Sequence, residues 1–195
     1  MRPELALLVL IGCGAPAPAC PSGTHADAAR ASAIGHRLAS VAEGRALIDA
    51  ARARVPAICF GASESASVIS TDRVILLAEG LEEGEAAARL GHLLVHARDG
   101  LATDEVHAGM DADACELGVD RALDLEARAY VVEVSLQNAL GARPTTLAFE
   151  FADAMRAAPP DARFEIARAY LRDHPDGGPG IDGLASAYRA ICTAR

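Results

Sequence analysis

The spacing of apolar residues changes character along the chain, and each change predicts a different kind of element. Over residues 26–54 apolar positions recur at helical intervals, with Gly35 and Gly44 as weak points, which predicts one interrupted helix or two. Short apolar runs separated by Ser, Gly and Thr-Asp then predict three strands. These runs cover residues 55–61, 67–70 and 73–78, and the last two are joined tightly at Thr71-Asp72.

Helical spacing returns after Gly80. Acidic residues in a first turn and apolar residues on one face predict a helix over 82–98, which Gly100 can close. Residues 101–118 are polar and predict a loop. A second long helix is predicted from about residue 119 to 140, because helical spacing resumes there and glycine follows.

The remainder of the chain predicts two or three further helices, with breaks at 158–161 and 174–180 where Pro and Gly cluster. The predicted fold class is therefore α+β and mostly helical, with a small sheet of about three strands near the start. The chain has 195 residues, of which 51% are hydrophobic and 23% charged, a composition typical of one globular domain. That domain is assigned to residues 25–195, with its core over 55–141.

The N-terminal segment MRPELALLVLIGC has the features of an export signal. One arginine precedes an apolar run, and the run ends in LIGC, which resembles the lipobox of bacterial lipoproteins. This interpretation makes residues 1–12 a signal peptide, Cys13 the lipidated first residue of the mature protein, and the Pro- and Ala-rich residues 13–24 a tether. It predicts a lipid-anchored protein of the bacterial cell envelope, facing the periplasm or in the outer membrane.

Two other interpretations of the N-terminus remain open. The sequence APA at 17–19, just before Cys20, would suit an ordinary signal peptidase and release a secreted protein. Alternatively, the apolar run is a buried strand of a cytosolic protein. The run is too short to span a bilayer, which requires about 20 apolar residues.

Cysteine count and charge bear on the compartment and on the partners. Without Cys13 four cysteines remain, an even number that suits two disulfides in an oxidising compartment. Three pairings are open among these candidates: Cys20, Cys59, Cys115 and Cys192. The net charge of −9 and the pI near 5.1 leave no basic stripe for phosphates, which disfavours nucleic-acid binding.

The candidate chemistry lies in the helix over 82–98. His92 and His96 stand four residues apart, so both imidazoles point to the same side of the helix and can reach one zinc ion. In the second long helix Glu126 can supply a third ligand, and Glu133 lies two turns later on the same face. In zinc peptidases of this spacing the residue after the first histidine is a glutamate, but here it is Leu93.

The order strand, HxxxH helix, loop and glutamate-bearing helix resembles the gluzincin metallopeptidases over about residues 55–141. The resemblance implies a zinc site formed by His92, His96 and Glu126, with Tyr130 and Glu133 close behind it. It also implies a defective catalyst, because Leu93 replaces the general base, whose contribution is about 10²–10⁴-fold. No catalytic residue is assigned, and zinc is the one cofactor expected. Such a protein could bind a peptide or another envelope protein.

Other interpretations of the same residues stay open. His92 and His96 can be ordinary core or surface histidines, and Glu126 can pair with a nearby arginine, Arg121 or Arg128. The chain is then a helical envelope lipoprotein without metal that binds a partner. A third hypothesis keeps an active metallopeptidase in which Glu133 or Asp99 is the base. Asp99 and His107 are close enough in sequence to replace a ligand.

Overall fold

The computed structural model describes residues 20–55, 57–61, 68–70, 73–143, 149–178 and 181–194. In these ranges the chain is α+β and mostly helical, which confirms the predicted fold class. The helices are α1 (Ala28–Ala39), α2 (Ala42–Ala51), α3 (Glu83–Asp99), α4 (Ala112–Leu140), α5 (Phe149–Ala157), α6 (Arg163–Asp173) and α7 (Leu184–Thr193). The strands are β1 (Thr24–His25), β2 (Ile58–Gly61), β3 (Val68–Ile69), β4 (Ile75–Ala78), β5 (Gly177–Gly178) and β6 (Ile181–Asp182).

The larger sheet has the order β1-β2-β4-β3, with β2 and β4 parallel and the outer strands antiparallel. Strands β2, β3 and β4 lie within the three predicted runs, whereas the pattern did not predict β1. Strands β5 and β6 form a separate two-stranded sheet. The predicted junction at Thr71-Asp72 lies outside the described residues.

The start of the folded domain requires a correction. Residues 13–24 were predicted to be a tether, but Thr24 pairs with Gly61 of β2, and Cys20 forms a disulfide with Cys59. The domain therefore includes Cys20, because its bond to β2 attaches that end of the segment to the sheet. The lipobox, Cys13 and the alternative cleavage site at 17–19 lie outside the described residues.

Helix α4 begins seven residues before its predicted start at 119. Asp111 caps it by accepting a hydrogen bond from the Ala114 backbone N–H. The first turns carry exposed acidic residues, and Cys115 is their one buried side chain before Gly118, so the apolar spacing there is too sparse to reveal a helix. The rest of the predicted loop contains a short 3-10 turn at Ala102–Glu105.

Helices α3 and α4 run antiparallel through the centre of the fold. The Leu136 side chain of α4 packs directly on Gly91 of α3, where an added Cβ would lie 2.1 Å from Leu136 Cδ1. One apolar cluster joins α1, α2, the larger sheet and α3 to one side of α4. A second cluster joins the other side of α4 to α5, α6 and α7. The apolar contact between α3 and α4 therefore belongs to the first cluster, which includes Ala129, Leu136 and Leu140 of α4.

Two disulfides are present, as the cysteine count predicts: Cys20–Cys59 and Cys115–Cys192. The second joins the first turn of α4 to the last turn of α7. Disulfides of this kind are compatible with an extracytoplasmic location. Among the described residues, the helices are too short or too polar to qualify as membrane spans.

Candidate metal centre

His92 and His96 lie one turn apart on the face of α3 that contacts α4. Both are buried, each with 4% of its surface exposed. Their Nε2 atoms lie 3.2 Å apart. The i, i+4 spacing produces this convergence, because residues four apart are neighbours on a helix surface.

Glu126 of α4 completes a triangle of three donor atoms. Its Oε2 lies 3.4 Å from His92 Nε2 and 3.3 Å from His96 Nε2. Ligands bound to zinc at about 2.0–2.1 Å in a tetrahedral arrangement stand about 3.3–3.4 Å from one another. The triangle therefore has the size that one small ion requires, and the group of His92, His96 and Glu126 could hold a metal ion.

The second carboxylate oxygen of Glu126 is occupied by a residue from α7. The Tyr188 hydroxyl donates a hydrogen bond of 2.6 Å to Glu126 Oε1. This bond leaves Oε2 directed at the two imidazoles. Tyr188 was not predicted, because it lies 62 residues further along the chain and no local pattern relates it to Glu126.

Glu133 lies behind His92, on the side away from the triangle. Its Oε2 is 2.9 Å from His92 Nδ1, although the two atoms are not aligned as a hydrogen bond. The same oxygen is 3.2 Å from Arg89 Nη1, and Gln137 Nε2 donates to Oε1 at 3.3 Å. A carboxylate beside the second nitrogen of a metal-binding histidine orients the ring and fixes its tautomer. His96 Nδ1 has no such partner among the described residues.

Arg89 and Gln137 were not predicted, although their helical spacing from His92 and Glu133 could have indicated them. Arg89 precedes His92 by three residues on α3, and Gln137 follows Glu133 by four on α4. Polar residues thus recur at helical intervals on faces that are otherwise apolar. A buried polar stripe on each helix indicates that the two stripes face each other.

Tyr130 packs against His92 through its ring. Its ring meets the imidazole edge to face, with centroids 4.7 Å apart. Its hydroxyl hydrogen-bonds to Arg89, the partner of Glu133. Tyr130 therefore supports the residues behind His92, whereas Tyr188 contacts a predicted ligand directly.

Burial and charge act in opposite directions on the ionisable groups. Burial by itself lowers the pKa of His92, but the carboxylates of Glu126 and Glu133 outweigh it and raise that pKa overall. Burial would raise the pKa of Glu126, but the charge of His96 and hydrogen bonds from both imidazoles hold it well below its usual range. Burial likewise opposes ionisation of Glu133, and the Arg89 guanidinium overcomes it to lower that pKa.

The alternative ligands and partners from the sequence lie elsewhere. Asp99 pairs through both oxygens with Arg98. The His107 ring is exposed and contacts the Ala108 carbonyl. Among the arginines expected near Glu126, Arg121 instead pairs with Glu105, with 2.6 Å between Nε and Oε2. Arg128, in turn, stacks over the Phe164 ring.

No protein-family model matches the chain, and no curated protein or solved structure shows significant similarity to it. Function is therefore inferred from the site itself. Two imidazole nitrogens and one carboxylate oxygen suit a transition ion such as zinc, copper, nickel or iron, whereas calcium and magnesium favour oxygen ligands alone.

Proposed function

We propose that the chain is an exported protein whose helical domain binds one zinc ion and does not cleave peptides. His92, His96 and Glu126 would be the protein ligands. The single observation that carries the proposal is the triangle of 3.2, 3.3 and 3.4 Å formed by their donor atoms, buried between two helices. Without an ion, both imidazoles can donate to Glu126 Oε2, but their two Nε2–H groups then face each other at 3.2 Å, and an ion bound by all three atoms would remove that conflict.

The residues around the triangle support the same proposal. Glu133 stands at the outer nitrogen of His92, and Tyr188 takes the outer oxygen of Glu126. Partners of this kind orient metal ligands and strengthen binding. Bound zinc would act as a Lewis acid and a cross-link; in this domain it would join α3 to α4 and, through Tyr188, to α7.

The absence of peptidase activity is inferred from three residues. Leu93, at the position of the general base, is 3% exposed and belongs to the apolar cluster that includes α3. Glu133 lies on the Nδ1 side of His92, whereas the ligand triangle is on the Nε2 side. Asp99 is neutralised by Arg98 at the end of α3.

Export and lipid anchoring are part of the proposal. The two disulfides support an oxidising compartment, and the LIGC sequence supports acylation of Cys13 at the cell envelope. A secreted form would follow if cleavage occurs at 17–19 instead. The anchored domain would then present its surface to a peptide or another envelope protein as partner.

Metal analysis and a peptidase assay test the proposal together. Purified protein incubated with zinc and desalted should retain about one ion per chain, because the described residues contain one such ligand group. The double variant His92→Ala/His96→Ala should retain none, while His36→Ala/His107→Ala, which removes two exposed histidines, should behave as the unmodified chain. All three proteins should leave casein and peptide libraries intact.

Two outcomes would contradict the proposal. Zinc content that is unchanged in His92→Ala/His96→Ala would show that the ion binds elsewhere, and absence of zinc from the unmodified chain would favour a metal-free polar core. Zinc-dependent cleavage by the unmodified chain would show that some residue other than Leu93 provides the base.

A further inference from the structure

Helix α7 packs on α4 and contacts α6, but few of its residues are buried. Of its ten residues, three are buried: Ala185, Tyr188 and Cys192. Helices this short are marginal on their own and depend on tertiary contacts. Tyr188 and Cys192 supply the buried bonds of this attachment, beside an exposed ion pair between Arg189 and Glu116 of α4.

Both of these residues bind α4. Cys192 forms the disulfide with Cys115, and Tyr188 donates to Glu126. They are four residues apart, so they lie on the same face of α7. A single covalent bond and a single buried hydrogen bond thus place this face against the helix that supplies a candidate ligand.

We infer that α7 is a tethered cover of the metal centre, held closed by Cys115–Cys192 and by the bond from Tyr188 to Glu126. The cover would control how fast the ion enters and leaves. For the ion this inference rests on the proposed function, but the closure of α7 is a property of the chain alone. Without the disulfide, α7 would open locally far more often, because a cross-link restrains the opened state.

Closure and ion binding must also reinforce each other. Because the bond from Tyr188 to Glu126 orients a ligand only in the closed state, closure should raise the affinity for zinc, and bound zinc then favours the closed cover by the same factor. Zinc-loaded protein should therefore protect Cys115–Cys192 from a dithiol reductant, which passes two electrons and two protons to the disulfide and becomes a disulfide itself. Cys20–Cys59 lies at the sheet and should be reduced at the same rate with and without zinc.

The closing experiment compares two matched pairs of serine variants. Cys115→Ser/Cys192→Ser removes the tether, and Cys20→Ser/Cys59→Ser removes the other disulfide. After zinc loading, transfer of the ion to a chromophoric chelator should be faster in the first variant by roughly tenfold or more. Transfer from the second variant should match that of the unmodified chain. Equal rates in all three proteins would overturn the inference.

A second arm uses metal-free protein, so that it does not depend on the ion. Diethyl pyrocarbonate modifies accessible imidazoles, and peptide mass mapping identifies which ones react. His92 and His96 should react faster in Cys115→Ser/Cys192→Ser than in the unmodified chain, while exposed His36 reacts equally in both. If His92 and His96 react faster in the serine pair but the unmodified chain binds no zinc, the proposed function is rejected and the cover is retained. If the unmodified chain binds zinc but the reactivity of the two histidines is unchanged, the cover is rejected and the proposed function is retained.

A further variant guards against misfolding of the serine pair. Tyr188→Phe keeps the disulfide and removes the bond to Glu126. It should accelerate both zinc transfer and modification of His92 and His96, to a smaller extent than loss of the tether. If circular dichroism shows that the serine pair is unfolded, unchanged rates in Tyr188→Phe overturn the inference by themselves.

Discussion

At the scale of single residues, Glu133 has the role that is easiest to isolate. It is completely buried and faces the nitrogen of His92 that points away from the ligand triangle. Arg89 and Gln137 hold its two oxygens, so its orientation is set before any ion binds. Its charge would stabilise a zinc-bound imidazole without touching the ion.

Glu133→Gln should therefore weaken zinc binding by about 10–100-fold, because the amide keeps the shape but loses the charge beside His92 Nδ1. Affinity is measured by competition with a chromophoric chelator on protein whose fold has been checked by circular dichroism. The matched control is Glu165→Gln, which changes an exposed carboxylate on α6. Equal affinity in all three proteins would show that Glu133 does not position the ligand.

The raised pKa of His92 predicts opposite effects of pH with and without zinc. In metal-free protein, protonated His92 is stabilised by Glu126 and Glu133, a contribution fully present below its ordinary pKa of about 6.5 and lost as pH rises through the raised value. Because the pKa of Glu126 is lowered, the stability that its carboxylate contributes to the protein is lost only at acid pH, below the range in which His92 titrates. Zinc requires neutral imidazole, so its binding strengthens as pH rises.

The measurement is the thermal midpoint between pH 6 and pH 8 in chelator and in excess zinc. Without zinc, the contribution of His92 to the thermal midpoint should be smaller at pH 8 than at pH 6. The increase caused by zinc should be larger at pH 8. A zinc effect that is constant across this range would contradict protonation of the ligands.

At the scale of elements, the site depends on how closely α3 and α4 approach. Gly91 permits the contact, because any Cβ there would collide with Leu136. Gly91→Ala should lower the free energy of unfolding by about 1–3 kcal/mol through overpacking and should also weaken zinc binding by displacing His92.

Gly35→Ala provides the matched control for this prediction. Gly35 lies in α1 with no atom within 4 Å of an added Cβ. Replacing a helical glycine with alanine there should raise stability by about 0.5–1 kcal/mol. Urea unfolding measures both. If Gly91→Ala is as stable as Gly35→Ala, the two helices do not need the close approach.

The elements also show what local pattern can reveal. The spacing of His92, His96 and Glu126 was visible because each lies on a periodic helix, and α3 itself agrees with its predicted range within one residue. The start of α4 was wrong because its first turns are solvated and carry almost no apolar signal. Tyr188 could not be found at all, since it contacts Glu126 only through the packing of α7 onto α4.

At the scale of the whole molecule, the periodicity predicts the fold class, and the cysteine count predicts two disulfides without their pairing. The pairing depends on which chain segments meet: Cys20 reaches Cys59 because β1 adds to β2, and Cys115 reaches Cys192 because α7 packs on α4. Contacts between distant segments leave no periodic trace in a single sequence. The same reason explains why Thr24, the first residue of β1, was assigned to the tether.

Lipid anchoring is the prediction that belongs to the whole chain. Cys13→Ser should release the protein from membranes into the soluble fraction of cells that express it, because the acyl chains would be its only anchor. Mass spectrometry of the unmodified protein should find lipid on Cys13. A Cys13→Ser protein that still sediments with membranes, together with a lipid-free mass for the unmodified chain, would contradict the predicted anchor.

The central claim is that His92, His96 and Glu126 bind one zinc ion between α3 and α4. Anomalous diffraction at the zinc absorption edge, from crystals of the zinc-loaded chain, tests it most directly. The account predicts one strong peak bounded by the two Nε2 atoms and Glu126 Oε2, with Tyr188 still bonded to Oε1. A peak at exposed acidic residues only, with none between the two helices, would contradict it.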